Sequence, residues 1–140
     1  MKSIKLNPDD LKVGQEIPAY QVNVEYQKYR KYNRLVKEIN PIHFNKKYAQ
    51  KLGFNTIVVA GIFLFTYIPK WIIDWVGDVN AIKKITVKFE NPVYIDDEII
   101  YKGKIVDIKE ECGQKIVECD YHIEKTSGEK TSFGIIILSL

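Results

Sequence analysis

Two cysteines, two histidines and one methionine in 140 residues leave little material for several kinds of chemistry. Cys112 and Cys119 stand with six residues between them, within what read as consecutive strands, and no CxxC pair or histidine falls at ligand spacing. A metal site or a structural disulfide is therefore not expected, and both read as small buried hydrophobes in a reducing compartment. No charge of one sign dominates, since 21 Lys and Arg against 18 Asp and Glu leave +3, a balance that singles out no partner. The apolar run "IVVAGIFLFTYI" from Ile57 to Ile68 is shorter than the roughly 20 residues a bilayer span requires. Pro69, Lys70 and Asp74 then interrupt it, so it reads as a buried helix. No repeat or low-complexity tract divides the chain, and no charged n-region with an apolar h-region opens it, so a cytoplasmic protein is the expectation.

What is present is the composition of one folded domain, residues 1–140, with 46% hydrophobic and 28% charged residues. In "EYQKYRKYNRLVKEI", Tyr26, Tyr29, Tyr32, Val36 and Ile39 recur every three or four residues, which predicts a helix with an aromatic face. That helix should stop at or just before Asn40, because the residue preceding Pro41 is pushed away from helical angles. A shorter helix is predicted over Lys46–Leu52, ended by Gly53. A long apolar helix follows from about Val59 to Val76, kinked near Pro69 and stopped by Gly77.

Strands are predicted near Glu16–Val24 and over Ile82–Phe89, Glu98–Ile108, Lys115–Lys125 and Glu129–Leu138, separated by turn residues such as Cys112-Gly113 and Ser127-Gly128. Helices grouped before strands, without βαβ alternation, indicate an α+β domain. About five antiparallel strands curved around one apolar central helix make the hot-dog architecture.

One stretch carries a finer signal. "YNRLVKEINPIHFNKKYAQKLGF", Tyr32 to Phe54, resembles the hydratase signature of the MaoC-like family, the (R)-specific enoyl-CoA hydratases and related acyl-thioester dehydratases. Tyr32, Leu35, Asn40, Pro41, Ile42, His43 and Ala49 fit that signature. "IVVAGIF" looks like the family segment that begins the central helix, with Gly61 at its glycine, and "WVGDVNAIKKITVKFENPVYIDDEI" is similar to its strand, turn and next strand. Lys37-Glu38 stand where the family has Gly-Asp, and Ala60 where many members have histidine.

The resemblance implies hydration of trans-2-enoyl thioesters to (R)-3-hydroxyacyl thioesters, or the reverse, on acyl-CoA or acyl-carrier-protein substrates and with no metal or redox cofactor. Such chemistry needs a held water, a group to take its proton, a proton for C2, and positive potential at the thioester oxygen. By the resemblance, His43 and Glu38 activate the water, Asn40 orients the loop or substrate, and the Gly61 N–H meets the thioester oxygen. In an unbroken helix Glu38 and His43 would point about 140° apart, at roughly 100° per residue. The break at Asn40-Pro41 is what permits them to converge.

Three other readings stay open: a catalytically weak or inactive hot-dog partner subunit or acyl-CoA-binding protein, a hot-dog thioesterase, and, distantly, nucleic-acid binding through the Tyr/Lys helix. Asn40 as a simple cap, Glu38 as a solvated helix-end carboxylate and His122 as a structural residue are the plainer assignments. A lone hot dog leaves a sheet edge open, so a homodimer, a heterodimer with a related chain, or a higher oligomer is expected.

Overall fold

In the computed structural model, which describes residues 6–140, six antiparallel strands form one sheet. They are β1 (Glu16–Asn23), β2 (Ile82–Ile85), β3 (Lys88–Phe89), β4 (Glu98–Glu111), β5 (Gln114–Lys125) and β6 (Lys130–Ser139). The order across the sheet is β1-β4-β5-β6-β2, with β3 also paired to β6. The segment expected as one strand over Ile82–Phe89 is two, and the Thr86-Val87 step between them is held by the Tyr121 hydroxyl, which donates to Thr86 O at 2.7 Å.

Alternation along the long strands sorts their faces. Val117, Cys119, Tyr121 and Ile123 of β5, with Ile99, Tyr101 and Ile105 of β4, are buried on the side that receives the helices. Both sharp hairpins use the predicted turn residues. Cys112 and Gly113 take positive φ (50° and 79°) between β4 and β5, and Gly128 does so (95°) between β5 and β6.

Four helices precede or interrupt the strands: α1 (Tyr26–Val36), α2 (Lys46–Lys51), α3 (Gly61–Phe65) and α4 (Tyr67–Val76). The long central helix is thus divided at Thr66, three residues before the proline expected to kink it. Pro69 has no N–H to offer the carbonyl of Phe65, and its ring crowds that carbonyl, so the helix re-forms one step earlier. Phe63, Leu64, Ile68, Trp71, Ile72 and Val76 are buried, Phe63 against Tyr29 and Tyr32 of α1 and Trp71 against Tyr101 and Tyr121 of the sheet. Two hydrogen bonds fix the helices on it, Trp71 Nε1 to Pro18 O and Tyr101 Oη to Leu64 O, both at 2.6 Å. One stripe of the central helix stays exposed, Ile62, Thr66, Lys70 and Asp74, with Ile62 at its start 55% exposed.

No helix among the described residues is long and apolar enough to cross a membrane. The result is an α+β hot-dog fold with an open sheet. It places the end of α1, the turn after it and the start of α3 side by side.

A candidate active site where the first helix ends

The geometry of this region follows residue by residue from how α1 stops. Lys37 takes the left-handed conformation (φ 54°, ψ 54°), and the Glu38 N–H reaches back to Asn33 O at 3.1 Å, the pattern that commonly closes a helix with glycine. A lysine holds that angle at a cost of roughly 1–2 kcal/mol, because its Cβ crowds the following carbonyl. The helix ends three residues earlier than the proline alone would demand.

The next residues then turn without helical bonds. Glu38 Oε1 accepts from the N–H groups of both Ile39 and Asn40 at 3.0 Å, so one carboxylate oxygen organises the loop while Oε2 is left for other partners. Asn40 Oδ1 accepts from Ile42 N at 3.3 Å, capping a single 3-10 turn over Pro41–His43 that Pro41 opens.

That turn sets His43 against the segment entering α3. Ile42 O accepts from Val58 N at 3.0 Å, and His43 Nδ1 lies 2.8 Å from Val58 O. A carbonyl only accepts, so Nδ1 carries a proton, and in the neutral ring Nε2 is the nitrogen with the lone pair. Beneath the turn, Tyr29 of α1 is 1% exposed, and its hydroxyl donates to His43 O at 2.9 Å while accepting from Ala60 N at 2.9 Å. Asn33, one turn along, donates Nδ2 to the same His43 carbonyl at 3.1 Å. Burial is the main cause that pushes the Tyr29 phenol above its ordinary pKa; the Glu38 charge adds to this, and hydrogen bonds from Asn33 and Ala60 oppose it.

Glu38 and His43 line one cleft of about 460 Å³ together with Tyr26, Tyr29, Asn33, Phe44 and Ile57. Arg30, Arg34 and Lys37 line it as well, a cationic set at helical spacing along α1. Gly61 does not line this cleft. It begins α3 under the half-exposed ring of Phe89, whose outer edge an added Cβ would displace. Its N–H belongs to the first helical turn, where no intrahelical acceptor exists.

A model of the family described as MaoC like domain matches residues 10–137. The chain belongs to that family. Among curated proteins, it is similar to the 3-hydroxyacyl-(acyl-carrier-protein) dehydratase FERN, mitochondrial, of Solanum lycopersicum, 32% identical over 79 residues. That match covers 56% of this chain and 47% of the tomato protein, so the chain spans about half the length of that relative.

In fold it is similar to the (R)-hydratase from A. caviae involved in PHA biosynthesis. The TM-score is 0.82 at 18% identity, over 94% of this chain and 98% of that one. It is also similar to a chain of the C-terminally truncated HadBC (3R-hydroxyacyl-ACP dehydratase) complex from Mycobacterium tuberculosis, TM-score 0.73 at 22% identity, over 91% and 96% of the two chains.

Sequence patterning assigned Tyr29 to a packing face and gave Asn33 no role. Tyr29 stands between Tyr26 and Tyr32 on the same face, so nothing in the sequence sets its hydroxyl apart. Val58 enters through its main-chain carbonyl, which no sequence pattern displays.

Proposed function

We propose that this MaoC-like chain is an acyl-thioester hydratase or dehydratase interconverting trans-2-enoyl and (R)-3-hydroxyacyl thioesters. The observation that carries the reading is the hydrogen bond from His43 Nδ1 to Val58 O, which leaves Nε2 basic in the cleft that Glu38 shares. In this reading Nε2 takes a proton from a water as the water oxygen bonds C3. Glu38 holds the water and offsets the imidazolium charge through its free Oε2. The imidazolium then returns its proton to C2, so one water adds across the double bond and no proton is gained or lost. Dehydration runs the same steps backward. Gly61 stands outside the lining of that cleft, so its first-turn N–H meets the negative charge on the thioester oxygen only with the thioester extending beyond the cleft toward α3.

Arg30, Arg34 and Lys37 suit a substrate whose acyl group hangs from a phosphate-bearing carrier, as in both CoA and acyl carrier protein. Assay of the purified chain with enoyl-CoA and enoyl carrier-protein thioesters tests the reading.

A second reading has its own observation. Glu38 already organises two main-chain N–H groups, which is the work of a structural carboxylate, and it favours a partner subunit that retains the fold without turnover. Glu38→Asp separates the two: activity rises from a near-dead parent if the site has decayed, and falls from an active parent if Glu38 is the working carboxylate.

A further inference from the structure

Tyr29 does more than pack. Its ring is fixed edge-on against Phe63 at 5.1 Å between centroids, a contact a phenylalanine would make equally well. The hydroxyl group is what distinguishes it, and every partner of that hydroxyl is either part of the His43 support or next to Gly61. It gives its one proton to His43 O at 2.9 Å, with Val58 O, the acceptor of the His43 imidazole, farther off at 3.4 Å. It accepts from the N–H of Ala60, the residue that caps α3 and precedes Gly61.

We propose that Tyr29 is a positioning residue whose hydroxyl bridges the His43 turn to the start of α3, and so fixes the imidazole relative to the Gly61 N–H. The bridge is short on both sides, and both main-chain groups it satisfies belong to segments far apart in sequence. Asn33 reinforces one side only, since its Nδ2 reaches the His43 carbonyl but nothing on α3. Burial keeps the phenol protonated, so it remains a donor throughout the range in which an imidazole works. The proposal rests on the hydratase reading for its catalytic meaning; the structural bridge stands on the distances alone.

The test replaces Tyr29 by Phe in the full chain, with kcat and KM measured on an enoyl-CoA and the His43 ring nitrogens followed by 15N NMR. The expected result is a kcat lower by about 10- to 100-fold with KM within about twofold, the size of effect that small misplacements of reacting groups produce. In the NMR arm the Nδ1-protonated signal of His43 gives way to a mixture of tautomers.

Ala60→Pro is the second variant, because it deletes the N–H on the other side of the bridge while the φ of −61° at that position already suits proline. It carries the test if Tyr29→Phe does not fold. The two changes should show the same defect, and the double variant should be no worse than either. Parental kcat and an unchanged His43 signal in a folded variant overturn the proposal. If the parent itself turns over no enoyl thioester, the hydratase reading fails, and the NMR arm alone then decides whether Tyr29 positions His43.

Discussion

His43 Nδ1 donates to the carbonyl oxygen of Val58 at 2.8 Å, across 15 residues of chain. The tautomer this requires is directly observable. In 15N spectra of the unliganded protein above the imidazole titration, His43 should show a protonated Nδ1 and a bare Nε2. The opposite assignment would leave the ring with no basic atom for the cleft.

Glu38 combines two jobs that substitution can separate. Glu38→Gln keeps an amide oxygen for the N–H groups of Ile39 and Asn40 while removing the charge. Its stability should stay within about 0.5 kcal/mol of the parent, and its kcat should fall by roughly 10²- to 10⁴-fold. Glu38→Ala loses the acceptor too, and should unfold about 0.5–2 kcal/mol more easily, as lost caps do. Urea denaturation beside steady-state kinetics checks both.

The left-handed Lys37 predicts a stabilising change. Lys37→Gly removes a cost of roughly 1–2 kcal/mol for the Cβ in that conformation. The greater chain entropy of glycine returns about 0.5–1 kcal/mol of the gain. A net increase of between about 0 and 1.5 kcal/mol in the unfolding free energy is expected, measured by urea titration. A destabilised variant would contradict the helix-end geometry described for residues 33–38.

Burial also predicts how stability responds to alkali. Cys119 is 0% exposed, and burial is the main cause that pushes its thiol from an ordinary 9.0 up to about 12. Between those values the unfolded chain has lost that proton and the folded chain has kept it, so the unfolded state binds fewer protons and stability falls as pH rises. The slope is about 1.4 kcal/mol per pH unit for one such group. The contribution is complete below pH 9 and declines toward pH 12. Unfolding free energies across that range check it. Alkylation at pH 8 should modify the exposed Cys112 alone until denaturant is added.

The hot-dog fold was legible in the sequence because both of its periodicities are strong. The strand alternation in "KIVECDYHI" places Val117, Cys119, Tyr121 and Ile123 inside. The apolar helix has no other surface to cover as large as the sheet. What patterning misplaced were boundaries set by single residues. Lys37 ends α1 early by adopting an angle expected of glycine, and Pro69 breaks the central helix at Thr66 because it acts on the carbonyl four residues before it.

The "KEINPIH" turn singled out Glu38 and His43 in the sequence, and the fold sets both on the lining of one cleft. Asn40 caps the turn that carries His43, and Gly61 lies against Phe89 outside the cleft lining. The support beneath His43 was not legible, since it is made of main-chain carbonyls and a phenol that the sequence displays only as another aromatic in a row.

The most direct measurement is hydration of crotonyl-CoA by the purified chain, followed as loss of the enoyl-thioester absorbance, beside a His43→Ala variant shown to be folded. The account predicts turnover by the parent and a loss of at least about 100-fold in the variant. Absence of turnover with every enoyl-CoA and enoyl carrier-protein thioester tried, or parental rates in His43→Ala, would contradict it.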